Sequence, residues 1–187
     1  MTLAERLYSV EDLLTMEEGD AYELDDGVLK ELPVGFESEE VAVNLIAEMR
    51  IFLRTRHLGR IVPPNVGLHI FPDRPGRVPR ADGGFISYAA LSSGPSPRGF
   101  LTSVPELLVE AISPGDNAAY MRRKTNEYLA AGVRLVWVLF PDTRMAEVFR
   151  ADGTASVIPP EGALDGEDVI PGFRCELATI MPPAEPS

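Results

Sequence analysis

Lysine is scarce in this chain. Of 17 basic residues only Lys30 and Lys124 are lysines; the rest are arginines. A lysine kept on an apolar helix face therefore asks for a reason. A compact ammonium can be tuned and can approach an attacking water, which a planar guanidinium does less well. Histidine and cysteine are also sparse, and two histidines with the single Cys175 cannot make a zinc cluster of the usual kind. One cysteine leaves no internal disulfide, which fits a reducing compartment. No apolar run approaches the roughly 20 residues of a membrane span. Met1 to Leu14 is charged and lacks a signal peptide's apolar core. A cytoplasmic protein with no membrane partner is expected. Positive charge is in deficit: the net charge of −12 disfavours loose nucleic-acid binding, which rests on phosphate neutralisation, but leaves room for a local basic patch. Phosphate-cradling glycine loops and a G-x-S-x-G elbow are absent.

What remains is an ordinary globular composition. A chain of 187 residues fits one domain with a sizeable core, expected over residues 1–181, with 182–187 as a disordered tail. Ser9 to Leu14 reads as a short helix with Ser9 as N-cap and Asp12 at the capping-box position. Asp26-Gly27, flanked by alternating apolar residues, predicts a hairpin over Tyr22 to Leu29; Glu23 within it is by pattern a solvated strand residue. Val41, Leu45, Ile46, Met49, Phe52 and Leu53 predict an amphipathic helix from Glu39 to Arg56 whose basic end suits its dipole. Strands are expected at Gly59 to Val62, at Val66 to Phe71 with a packed or hydrogen-bonded His69, and on from Arg80 to Ser87. Asp82 precedes a glycine pair and reads locally as a turn aspartate. Asp73 to Arg77 reads as a loop and Leu91 to Leu101 as a mobile connector.

The most informative stretch is Pro105 to Phe140. It reads as a strand (Glu106 to Ile112), a helix (about Asn117 to Ala131) and a second strand (Leu135 to Phe140), the order of a right-handed parallel crossover. Leu135 to Phe140 is almost wholly apolar, as a strand buried on both faces should be. Glu110 interrupts the first strand near its carboxyl end, the side on which open α/β sheets bind ligands. Tyr120, Lys124, Tyr128 and Ala131 share one helix face, so a helix packed by that stripe points Lys124 inward. Lone buried charges are usually paired or metal-bound, and a plain Glu110–Lys124 ion pair is one reading. Downstream, strands are expected at Met145 to Phe149 and Ala155 to Ile158, a loop at Gly162 to Gly166, and a closing segment at Val169 to Phe173. Carboxylates with a lysine suit a hard divalent cation, which takes oxygen ligands and activates water against a phosphodiester.

At these residues the chain resembles a family. Tyr22-Glu23-Leu24-Asp25-Asp26-Gly27, Asp82, Pro105-Glu106-Leu107-Leu108-Val109-Glu110-Ala111-Ile112-Ser113-Pro114, Lys124, Tyr128, Gly132-Val133, Trp137-Val138 and Ile170-Pro171-Gly172-Phe173 are similar to the Uma-two family of restriction-type endonucleases, in the PD-(D/E)XK nuclease superfamily. The resemblance runs over about residues 7 to 180. It implies an α/β (α+β) fold: a restriction endonuclease-like mixed β-sheet flanked by helices, with additional β-hairpins. It implies a metal-dependent endonuclease acting on DNA with Mg2+ or Mn2+. Asp82 and Glu110 would be metal ligands with the Ala111 carbonyl, Lys124 the active-site lysine, and Glu23 an additional acid. The superfamily's Pro-Asp is Ala81-Asp82 here, and its lysine position is Ile112, so the lysine function moves to Lys124. Ser38 or a neighbouring glutamate stands where many relatives carry a histidine.

Two other readings compete. A catalytically inactive nuclease-fold binding or assembly protein is motivated by the acidic charge and the missing histidine. A sugar hydrolase using a carboxylate pair would need acids roughly 5 to 10 Å apart and no metal. A homo-oligomer, most simply a dimer, suits an enzyme that cuts both strands of a duplex.

Overall fold

The structure is a computed structural model that describes residues 6–32, 35–91 and 99–183. The expected connector between Leu91 and Leu101 falls largely outside the described residues, and so does most of the expected tail. In chain order the elements are α1 (Val10–Thr15), β1 (Tyr22–Asp25), β2 (Val28–Glu31), α2 (Phe36–Leu53), β3 (Gly59–Val62), β4 (Arg77–Val78), β5 (Gly83–Ser87), β6 (Leu107–Ala111), α3 (Ala118–Ala130), β7 (Leu135–Phe140), β8 (Met145–Arg150), β9 (Ala155–Ile158), β10 (Ala163–Asp165), β11 (Arg174–Glu176) and α4 (Leu177–Ile180). No helix among the described residues is long and apolar enough to cross a membrane.

A six-stranded mixed sheet in the order β3-β5-β6-β7-β8-β9 carries the fold. Its β6–β7 pair is parallel and its other pairs are antiparallel. Side chains alternate across a strand, and the central strands use both faces. Leu107, Val109 and Ala111 of β6, with Leu135, Trp137 and Leu139 of β7, meet Val41, Leu45, Met49 and Leu53 of α2 on one face. Leu108, Val136 and Val138 meet Tyr128 of α3 on the other. Each fully buried large apolar side chain contributes about 1.5–3 kcal/mol. Helices on both faces explain why β7 reads as a continuous apolar run. This is the mixed sheet flanked by helices that the resemblance implies.

A second sheet, β2-β1-β4, sits beside the first. The predicted turn is there: Asp26 and Gly27 both take positive φ, at 52° and 92°, as a two-residue hairpin turn of this kind requires. α1 has the predicted capping box, with Ser9 and Asp12 each bonding the other's backbone N–H.

Several expectations need correction. α2 starts at Phe36, not Glu39, and ends at Leu53, so Arg56 lies beyond it; Glu37 and Glu39 in its first turn suit the dipole there. Val66 to Phe71 is not a strand and makes only isolated bridges, Gly67 with Arg80 and Leu68 with Leu101. Its apolar residues alternate because Leu68 and Ile70 are buried, not because a ladder runs along it. Arg77-Val78, expected in or next to a loop, forms β4 by pairing with β1. Ala163–Asp165, expected in a loop, pairs with Arg174–Glu176 as β10 and β11. His69 is hydrogen-bonded, its Nε2 3.1 Å from the Pro75 carbonyl, as expected.

Candidate active site

The period of two that buries Leu107 and Val109 on the α2 face turns Glu110 to the α3 face. There it meets the inward stripe of α3, whose buried residues are Met121, Lys124, Thr125 and Tyr128, spaced at three and four residues. The expected stripe is thus shifted by one position at its start: Met121 is buried, while Tyr120 is half-buried and leans toward β1. Asn117 caps α3 through its side chain, and Gly132, at φ 104°, ends it.

The Glu110–Lys124 ion pair exists. Lys124 Nζ lies 2.9 Å from Glu110 Oε2 and 2.7 Å from Glu23 Oε1, and it donates to the Arg80 carbonyl at 2.7 Å. An ammonium has three donors, so all three are engaged. The Tyr128 hydroxyl donates to the other oxygen of Glu110 at 2.8 Å. Glu110 and Lys124 are only 3% and 4% exposed.

Glu23 is buried, not solvated as its strand pattern alone suggests. Besides Lys124 it accepts from the Arg80 backbone N–H at 2.9 Å and from the Tyr120 hydroxyl. The fully buried Arg77 contacts its Oε2 at 3.4 Å. These donors explain the burial: β1 alternation points Glu23 inward, and the neighbours supply the charge that burial demands.

Asp82 opens β5. It is tied down at Oδ2 by the Ala111 N–H at 2.7 Å, while Oδ1 takes no hydrogen bond among the described residues. A cavity of about 230 Å³ is lined by Asp82, Glu110, Ala111, Lys124 and Glu23 together. The structure thus brings every residue singled out for the site onto one cavity. Ser38 lines it too. Its hydroxyl lies 2.7 Å from that of Ser113; Ser38 or a neighbouring glutamate stands where the resemblance expects histidine.

The site holds its acids in unlike states. Burial pushes the Glu110 carboxyl upward, and Asp82 and Glu23 add to the rise while Lys124 opposes it. Burial likewise raises Asp82 to about 6, with Lys124 and the Ala111 N–H opposing and Glu39 and Asp116 reinforcing. Glu23 ends at about 2, because Lys124, Tyr120 and the Arg80 N–H outweigh its burial. Burial works against the Lys124 charge, but Glu110, Glu23 and Asp82 together hold it protonated well above the usual range.

The donor chemistry fits a hard divalent cation: two carboxylates with raised pKa and a nearby carbonyl, in a cavity with more acid than base. Raised values mark negative charge that a cation would relieve. Among the described residues, however, no group of three or more His, Cys, Asp or Glu is placed to hold a metal ion. Asp82 and Glu110 are the two acids with raised values; both oxygens of Glu23 and both of Glu110 accept from donors, and Asp82 Oδ1 is left open among the described residues.

Sequence reasoning missed Arg77, Arg80 and the roles of the two tyrosines. Arg77 is fully buried, donates to Glu127 at 2.9 Å and leaves Nη2 without a partner among the described residues. Around it, Arg74 reaches Asp25 and Glu127, and Arg123 reaches Asp25 at 2.6 Å. This network latches α3 to the small sheet. The one sequence signal was the placing of Tyr120 and Tyr128 four residues either side of Lys124.

Comparison with known proteins bears on the family and the fold. The family model described as "Uma2: Putative restriction endonuclease" matches residues 9–179. No curated protein matches the chain. A crystal structure from Anabaena variabilis, titled as a putative nuclease belonging to DUF820, is 14% identical with a TM-score of 0.73, over 92% of this chain and 97% of that chain. At that identity the likeness is one of fold.

Proposed function

This chain belongs to the Uma2 family, and from that premise we propose that it is a metal-dependent endonuclease that hydrolyses phosphodiester bonds in DNA. The observation that carries the proposal is the convergence of Asp82, Glu110 and Lys124 on one cavity. A divalent cation such as Mg2+ or Mn2+, held by the Asp82 and Glu110 carboxylates and the Ala111 carbonyl, would polarise a phosphoryl oxygen and lower the pKa of a bound water. Asp82 is anchored at Oδ2 by the Ala111 N–H, which leaves Oδ1 as its ligand atom. Tyr128 fixes the orientation of Glu110. Lys124 stays protonated and so cannot serve as a base; it supplies fixed positive charge for the negative charge that develops on phosphate. Glu23 and the Arg80 carbonyl hold that ammonium in place. Because its three donors are engaged, contact with phosphate or hydroxide requires Lys124 to exchange one of these acceptors.

The test is cleavage of duplex DNA with Mg2+ or Mn2+. Asp82→Asn and Lys124→Met proteins, shown to be folded, should each cut at least about 10²-fold more slowly, and chelation should stop the wild type. Cutting that survives in both variants overturns the assignment. The second reading, an inactive nuclease-fold binding module, is favoured by the fully engaged Lys124 and by Ser38 or a neighbouring glutamate in place of histidine. It predicts no metal-dependent cutting and no calorimetric binding of Mg2+ or Mn2+.

A further inference from the structure

The α2 helix buries one face on the sheet and leaves the other bare. The bare face carries Phe36, Glu37, Glu40, Val43, Ala47, Arg50, Ile51 and Arg54, a continuous stripe at helical spacing. Phe36, Val43 and Ile51 are 81%, 54% and 57% exposed. A solvated helix face is normally polar; this one has an apolar middle. Its charges are segregated, with acids in the first turns and arginines in the last. The helix dipole favours that arrangement but does not call for Val43 and Ile51 between them. Elsewhere six arginines, Arg74, Arg77, Arg123, Arg134, Arg150 and Arg174, each meet a carboxylate, while Arg6, Arg56, Arg60, Arg80, Arg122 and Arg144 form no ion pair among the described residues. Glu37, Glu40, Arg50 and Arg54 take part in none of the ion pairs among the described residues.

The stripe is complementary to itself. If a second copy of α2 lies antiparallel about an axis through Ala47, Val43 stands opposite Ile51, four residues to either side, and Glu40 opposite Arg54, seven to either side. Ala47 meets its own counterpart, and a small residue at the crossing lets the helix axes approach closely. This is the pattern of an isologous interface, in which residue i contacts j and j contacts i. We propose that α2 is the seam of a two-fold symmetric homodimer, with Val43 packed on Ile51 of the second copy and Glu40 paired with its Arg54. Ser38 and Glu39, in the first turn of α2, line the cavity described above. The dimer therefore sets its two cavities at opposite ends of one seam, about 27 Å apart along the helix axis. The inference does not depend on what the cavity does.

Sedimentation equilibrium of the full chain tests it. The wild type should dimerise with rising concentration. Glu40→Arg and Arg54→Glu, each replacing an attraction with a repulsion at an exposed position, should each weaken the dimer about tenfold or more. The double variant Glu40→Arg/Arg54→Glu should recover most of that loss. Circular dichroism shows that each variant keeps its fold. A wild type that stays monomeric at its solubility limit overturns the proposal. So do single reversals that leave the dissociation constant unchanged, and so does a double variant no tighter than either single one.

Discussion

Lys124 of α3 and Glu110 of β6 face each other with Nζ 2.9 Å from Oε2, both buried, the ammonium held protonated and the carboxyl pushed upward by burial. Removing either leaves the other without its balance, so the pair is a sensitive point of the fold as well as of the site.

Lys124→Met strips the cation from Glu110 and Glu23. At pH 7 it should cost about 3–5 kcal/mol, the usual penalty for orphaning a buried charge. At pH 5 the loss should be smaller, because Glu23, buried and no longer facing the ammonium that holds it low, can take a proton instead. Urea unfolding at the two pH values measures this. An equal loss at both would show that Glu23 is not the carboxylate that Lys124 keeps ionised.

Asp82→Asn should stabilise the protein at neutral pH. The Asp82 carboxyl titrates at about 6 in the fold against an ordinary 3.8. Below about pH 4 both states are protonated and nothing is gained or lost. As the pH rises toward 6 the unfolded chain ionises first, so folding stability falls and then levels off. At pH 7 the wild type therefore carries a deficit on the order of 3 kcal/mol that asparagine lacks. Asparagine can still accept the Ala111 N–H. Denaturation of the two proteins from pH 3.5 to 7.5 should show curves that converge at the acid end; parallel curves would refute the assignment.

Tyr128→Phe deletes the donor to Glu110 Oε1 without changing much volume. The unsatisfied oxygen should cost about 1–3 kcal/mol, read from the urea midpoint. A neutral substitution would mean that Glu110 finds another donor.

Mn2+ should raise the melting temperature, by an amount equivalent to about 2.7 kcal/mol at a hundred times its dissociation constant. The rise should shrink from pH 7 to pH 5, since Asp82 is largely protonated at the lower value, and should be much reduced in Asp82→Asn. Thermal melts with and without the ion decide it. An unchanged rise in the variant would place the ion elsewhere.

The sequence made β6, α3 and β7 legible because each is long enough to show its own period. The hairpin at Asp26-Gly27 was legible from its turn chemistry. β4, β10 and β11 were not: two or three residues carry no period, and they are strands only because distant partners pair with them, as Arg77-Val78 does with Leu24-Asp25. The site followed the same division. Glu110 and Lys124 stood out as charges breaking apolar patterns. Arg77 lay among turn residues, and only the pairing of β4 with β1 carries it into the interior. Glu23 sat in a pattern typical of a solvated strand, and its burial depends on partners up to 101 residues away, Lys124 being the farthest.

The parallel joint between β6 and β7 also bears on how fast the molecule comes together. Glu110 and Val138 are register partners across the 13-residue helix α3, so that pairing must close a long loop before it is rewarded. Docking of Glu23 and Asp82 waits on still wider closures. We therefore expect the four side chains to meet after the folding barrier has been crossed. Substitutions among them should then speed unfolding and leave the refolding rate nearly untouched, which makes the site the place where the native state first comes apart.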